Sequence, residues 1–394
     1  WWEPITPYID YVKLRGSYGL VGSDETGLTA GAEHFLFFDT VNLTGGGRYG
    51  TGPGQSQYYE MAGPAVNGYA VRNATWERVR KLNIGLDLTL FNQFNVTFDW
   101  FKDHRYNILM RRGAWPIMMG YWNAVPWSNI GEVDNQGVEL SVNWSKEVVK
   151  DLRVDLRANF TYTQNKYVNI DEPAYPYVWQ TQTGKPLSST TGYIAEGLFT
   201  SQEEIDRSPV QNVGGDVRPG DIRYRDVDGN GMINENDKVM ISPYGNVPRI
   251  QYGFGANLQY RNFDFGVFFN GSGKRTIMVS GVTPFGQDNN NLMKFIADDH
   301  WTVDNPNPDA AYPRLGVTRQ QVENNMQPST FWMRNGSFLR FKTLELGYTY
   351  KFVRFYFSGD NIAVFSPFKL WDPELAWNAY PLSRTFNLGA QFQF

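Results

Sequence analysis

Cysteine is absent from this chain of 394 residues, which excludes both a disulfide scaffold and thiolate metal sites. Histidine is nearly absent: His34, His104 and His300 stand apart, with no His-Glu-x-x-His or other close pair to hold a catalytic zinc. Basic charge is not in excess either. The 36 Lys and Arg oppose 40 Asp and Glu for a net charge of −4, so no nucleic-acid partner is expected. No run approaches the roughly 18 apolar residues of a membrane helix. The opening WWEPITPYID lacks the basic start and apolar stretch of a signal peptide.

What the chain does have is aromatic residues, at 16%, together with 39 glycines, and a strict period of two. Leu82, Ile84, Leu86, Leu88 and Leu90 alternate with Asn83, Gly85, Asp87 and Thr89. Tyr252–Tyr260 and Phe386–Phe394 alternate in the same way, as do Phe94–Trp100, Val138–Trp144, Val154–Tyr162, Phe263–Phe269 and Val353–Phe357. Val12–Leu20 and Leu344–Tyr348 are looser versions, which brings the strands to ten.

Alternation alone would equally suit a soluble sandwich, but the connections discriminate. Short links follow the second, fourth, sixth and eighth strands, at Asn92-Gln93, Lys146–Asp151, Arg261 and Lys351. The other connections, roughly 22–76, 111–129, 168–247, 273–336 and 360–383, are long. Tight turns on one side and extended loops on the other describe a transmembrane antiparallel β-barrel. One face of the strands is Leu, Val, Phe and Tyr and the other Asn, Gln, Gly, Thr, Asp and Arg, which suits a lipid-facing band and a polar lumen. Tyr18, Trp100, Trp144, Tyr162, Tyr260 and Tyr348 fall at strand ends, where interfacial aromatic girdles belong. Phe392 and Phe394 end the chain in phase with the apolar face and look like a barrel-insertion signal.

Ten strands make a small barrel for loops that exceed half the chain, and a resemblance resolves this. GDIRYRDVDGNGMINENDK (220–238), the stretch 244–277, SFLRFKTLELGYTY (337–350), VRFYFSGDNIAVFSPFKLWDPE (353–374) and YPLSRTFNLGAQFQF (380–394) resemble the barrel of SusC-like TonB-dependent transporters. YVKLRGSYGLVG (11–22), TWERVRKLNIGLDLTLFN (75–92) and NIGEVDNQGVELSVNW (129–144) fit the same family upstream and in order. The resemblance implies a barrel of about 22 strands filled by a plug, energised through TonB, with a SusD-like surface lipoprotein as lid. Residues 1–394 then correspond to about ten C-terminal strands, with the plug and the TonB-contacting segment not in this chain. The implied location is the outer membrane of a Gram-negative bacterium. The implied partners are the lipoprotein, TonB, membrane lipid and the N-terminal remainder of the barrel, without which two strand edges would stand unpaired in lipid.

Enzymatic readings fail on context. GGGRYG (45–50) matches G-x-G-x-x-G but has no strand before it and no helix after it. GSGKRT (271–276) lacks the first glycine of a phosphate loop, and Arg275 stands where Ser or Thr is required. Asp87, Asp99 and Glu139 share the polar face of strands and are better read as lumen lining than as a glycosidase pair. No catalytic residue is assigned.

DVDGNGMINEND (226–237) is the most specific local motif. Asp226, Asp228, Asn230 and Asp237 occupy positions one, three, five and twelve of a calcium loop, Met232 offers its carbonyl at position seven, and Gly231 holds the turn at six. The flanks carry Gly, Pro and β-branched residues without helical period, so a structural Ca2+ stiffening a long loop is expected rather than a sensor. The plain alternative is a turn that uses Asp, Asn and Gly for their left-handed conformations.

A second cluster lies in RRGAWPIMMGYWNAVPWS (111–128): Trp115, Met118, Met119, Tyr121, Trp122 and Trp127, with YPYVW (175–179) as a smaller relative. Such apolar density on a loop suits contact with a lid or with substrate, the plain alternative being that the loop packs on itself. The function expected is TonB-dependent import of an oligomeric nutrient, a glycan in the first reading and an oligopeptide in the second. The alternative is a surface-binding or adhesive β-protein without transport.

Overall fold

The structure, a computed structural model, describes residues 8–25, 36–45, 48–49, 61–116, 118, 125–279, 292–375 and 379–393. Ten strands form one antiparallel sheet in chain order: β1 (Ile9–Ser23), β2 (Glu77–Leu90), β3 (Phe94–Arg111), β4 (Trp127–Val149), β5 (Leu152–Asn169), β6 (Ile250–Tyr260), β7 (Phe263–Gly273), β8 (Phe338–Tyr350), β9 (Val353–Phe365) and β10 (Thr385–Phe392). Each strand pairs only with its sequence neighbours, which is the meander of an up-and-down barrel. Within this sheet β1 and β10 are the edges, so the ten strands form an open part of a barrel.

The four short turns share one backbone device. Phe91 and Asn92, Asp151, Arg261 and Lys351 all adopt positive φ, the left-handed geometry whose twist lets antiparallel strands continue without splaying. Several strands run further than their apolar pattern suggested. β4 starts at Trp127 and β5 reaches Asn169, because the ladder continues into polar rows beyond the apolar band.

The two faces differ in crowding. On the polar face Arg15 donates to Asp87 at 2.9 Å and to Asp99 at 2.9 Å, a bridge across three strands. Arg354 likewise spans Asp264 and Glu345. Between the first set lies Gly85, where an added Cβ would come within 2.5 Å of Asp99 and 2.6 Å of Arg15, so a side chain there would displace the bridge. Apolar-face residues instead stay accessible even on strands flanked on both sides, with Leu156 43% and Leu346 50% exposed. Side chains converge on the concave side of a curved sheet and diverge on the convex side. The polar face therefore lines the interior and the apolar face meets lipid.

The aromatics sort into two levels on that outer face. Trp144, Tyr260 and Tyr348 lie towards the short turns, paired with Phe94, Phe263 and Phe263 respectively. Trp100 and Tyr162 both pair with Val138 towards the long loops, and Tyr18 pairs with Leu82 one row beyond. Phe392 is the last residue of β10 and pairs with Val353; Phe394 lies outside the described residues.

The long connections are not structureless. Those between β5 and β6, between β7 and β8, and after β9 share one core. It contains Tyr193, Leu198, Ile222, Tyr224 and Ile233 from the first, Ile277, Ile296, Trp301, Tyr312, Val322 and Trp332 from the second, and Phe368 from the third. Short ladders such as Ala195–Leu198 with Ile222–Tyr224 absorb the backbone groups that this burial would strand.

Candidate functional site at the barrel mouth

Polar side chains tie the loop core together over long sequence separations. Asp221, fully buried, accepts from the amide of Asn325 at 2.7 Å and from the backbone N–H of Arg218 at 2.8 Å, and pairs with Arg314 at 2.7 Å. Burial pushes the Asp221 carboxyl up, and the Arg314 charge opposes it. Tyr224 donates to the carbonyl of Asn324, and Asn324 donates to that of Ile222. A second anchor joins loop to barrel: Arg340 of β8 is fully buried against Asp372 at 2.5 Å and Glu374 at 2.8 Å, and Arg275 donates to the carbonyl of Pro373.

On this platform sits the acidic loop. The carboxylates of Asp226, Asp228 and Asp237 place oxygens within 4.8 Å of one another. Asp226 accepts from the N–H groups of Gly229 and Gly231 at 2.8 and 2.7 Å. Burial raises its carboxyl, but those bonds outweigh the effect and hold it below the ordinary range. The side chain of Asn230 accepts from the Met232 N–H at 2.7 Å. Asp237, fully buried, closes the loop by accepting from Val227 at 2.7 Å and Asn234 at 2.8 Å. Gly229 and Gly231 carry φ of 73° and 82°, the left-handed values that the sharp turn demands. The Met232–Ile233 strand pairs through the carbonyls of Gly231 and Ile233. The intervening Met232 carbonyl therefore points away from that ladder. A short 3-10 turn, Glu235–Asp237, ends the loop and short strands, Ile222–Tyr224 and Val239–Ser242, flank it, so it has no helix pair to move.

The segment 175–179 packs against this loop. Tyr177 and Trp179 stack at 4.5 Å, Trp179 donates to the carbonyl of Asn236 at 2.7 Å, and Gln180 donates to the Asn236 side chain at 3.0 Å. A hydrogen bond to Asp228 raises the Tyr177 hydroxyl's pKa, with burial adding to it. Sequence inspection identified both segments but nothing in it joined them.

The description "TonB dependent receptor-like, beta-barrel" matches residues 8–362. The chain belongs to the TonB-dependent receptor-like β-barrel family. It is 27% identical over 421 residues to TonB-dependent receptor P3 of Formosa agariphila, covering 97% of this chain and 39% of the relative. It is 26% identical over 417 residues to TonB-dependent receptor SusC of Bacteroides thetaiotaomicron, covering 97% and 37%. A chain of the RagAB peptide importer in an open-open state superposes with a TM-score of 0.68 at 20% identity, over 98% of this chain and 40% of that one, a likeness of fold. The chain spans about two fifths of the length of these curated relatives. It fits the C-terminal part of a SusC-like barrel.

In this TonB-dependent receptor barrel the aromatic residues of the 111–128 connection do not all lie on the loop. Trp127 opens β4, paired with Arg111, whose guanidinium lies 5.3 Å from its ring. Trp115 is half-buried, and Met118 is 99% exposed. Met119, Tyr121 and Trp122 lie outside the described residues. The base of this connection is fixed by Asp171, which pairs with Arg112 at 2.6 Å and accepts from the Ala114 N–H at 3.4 Å. The Arg112 guanidinium, against some opposition from burial, holds the Asp171 carboxyl below the usual range. No sequence signal pointed to Asp171, Asp221, Arg340 or Asp372, because their partners lie in other connections or strands.

Proposed function

We propose that the intact protein is a TonB-dependent importer in the outer membrane of a Gram-negative bacterium, and that this chain supplies the C-terminal part of its barrel. The observation that carries this reading is the family match over residues 8–362 on an open ten-strand meander. The rest of the barrel pairs with the free edges of β1 and β10, and the plug and TonB-contacting segment belong to that remainder. The cargo is an oligomeric nutrient, a glycan first and an oligopeptide second, held between the mouth and a SusD-like lipoprotein lid. The loop core supports this, since it makes the mouth a rigid platform. The peptide importer with the same fold keeps the second cargo in view. The test is uptake by cells expressing the full-length protein, with and without the proton-motive force. Energy-dependent accumulation of labelled oligosaccharide is expected. Surface binding that never becomes uptake would instead make the protein an adhesin.

The acidic loop belongs to the same reading as a structural calcium site. Its donor set is all oxygen: three carboxylates with Asn230, and the Met232 carbonyl directed away from the neighbouring ladder. That chemistry suits a hard divalent cation. Bound Ca2+ would offset the repulsion among the carboxylates and stiffen the connection on which Tyr177 and Trp179 rest.

A further inference from the structure

Beyond the apolar band the outer face of β2–β5 changes character. Trp100 pairs with Val138, and Val138 with Tyr162, forming the upper aromatic row. The next row towards the long loops pairs Leu82 with Lys102 and Lys102 with Gln136. The row after that runs Arg80, His104, Asp134 and Lys166 across four strands, and Arg78 pairs with Tyr106 in the following one. Register partners share a face and rows lie two residues apart, so these side chains stand on the lipid side, about 7–20 Å past the aromatic row.

Four permanent cations, Arg78, Arg80, Lys102 and Lys166, therefore face two carboxylates: Glu132, which alternation along β4 puts one row beyond Asp134, and Asp134, which already holds His104 at 2.8 Å and Lys166 at 3.8 Å. Arg80 is held over the Tyr106 ring at 4.8 Å, a contact that fixes the guanidinium while leaving it exposed. On the interior face the arginines that bridge strands are matched by acids, as Arg15 is by Asp87 and Asp99. The outer rows leave cations in excess just where a leaflet's headgroups begin.

We propose that this patch seats a phosphorylated headgroup of the outer-leaflet lipid. The occupant follows from charge and level. The patch is cationic and continuous with the lipid-facing band, so what meets the band through its chains meets the patch through its head. A guanidinium fixed over a ring, with Lys102 one row away on the neighbouring strand, suits phosphate oxygens. The inference rests on the outer-membrane reading above.

The test uses the intact protein and two neighbouring substitutions on opposite faces. Arg80→Glu reverses a patch cation, and Lys81→Glu reverses the adjacent, interior-facing one; both make the same change in net charge. Native mass spectrometry in detergent is run with bis-phosphorylated lipid A, with the dephosphorylated lipid and with inorganic phosphate alone. Wild type and Lys81→Glu are expected to retain the phosphorylated lipid, with Arg80→Glu weaker by about tenfold and Lys102→Glu similarly weakened. Equal retention by Arg80→Glu and wild type overturns the proposal. So does binding of inorganic phosphate as tight as that of the lipid, or loss of a co-purifying lipoprotein with lipid retention unchanged. Reconstitution into vesicles separates the two readings: a wild-type protein that fails to insert sinks the membrane reading, whereas insertion without phosphate-dependent retention sinks the patch alone.

Discussion

Arg340 and Asp372 form an ion pair of 2.5 Å in which the guanidinium is fully buried. One residue is on a barrel strand and the other on the connection after β9, so the pair pins the loop core to the wall. Removing one partner from a buried pair leaves an uncompensated charge and costs about 3–5 kcal/mol, somewhat less here because Glu374 also approaches Arg340, at 2.8 Å. Asp372→Ala is expected to expose 366–384 to limited proteolysis while the barrel keeps its heat-modifiable mobility. Wild-type proteolysis in that variant would show that the apolar core alone holds the loop.

Leu86 and Asp87 are neighbours on opposite faces. Leu86→Arg near the middle of the band should cost about 2–4 kcal/mol in a folding titration. Asp87→Asn should cost much less, because Arg15 keeps Asp99 as a partner at 2.9 Å. Comparable costs would mean that the faces have been inverted.

The acidic loop can be probed by two substitutions with different consequences. Asp226→Asn keeps only one of the two oxygens that accept from the N–H groups of Gly229 and Gly231, so it should abolish cation binding and loosen the turn only in part. Asp237→Ala removes the acceptor for Val227 and Asn234 and should loosen the loop even without a cation. Terbium luminescence excited through Trp179 and displaced by calcium is the measurement. No saturable signal in the wild type would leave a turn held by Asp, Asn and Gly.

Acid should release the 111–128 connection before the barrel. The Asp171 carboxyl is lowered in the folded state by Arg112, so its contribution is fully present above the unfolded value of about 3.9 and is lost as pH falls through the folded one. Fluorescence of Trp115 and Trp127 is expected to change below about pH 4 in wild type. Asp171→Asn should show the change already at neutral pH. A transition unaltered by that substitution would place the acid-sensitive group elsewhere.

For the lid, Trp122→Ala combined with Trp127→Ala is expected to weaken co-purification of the lipoprotein while barrel assembly proceeds. If the lipoprotein stays bound and substrate affinity falls instead, the segment belongs to the cargo site.

The sequence by itself determined the strands, their order and which side chains share a face, whereas the crowding of the polar side chains decided which face lines the interior. Period two is a local property, and a turn such as Asn92 or Lys351 joins residues only a few positions apart. Lipid also demands apolar side chains along the whole outer band, so the pattern is written without gaps. Strand ends were less legible, as at Trp127, because the rows beyond the band are polar on both faces and hydrophobicity no longer separates them. The acidic loop was legible because its donors are packed into twelve residues. Only the tertiary structure decided what the long connections are. Asp221 meets Arg314 across 93 positions, and Trp179 meets Asn236 across 57. Such pairs leave no periodic trace, since a contact between distant segments constrains each partner separately and their spacing not at all.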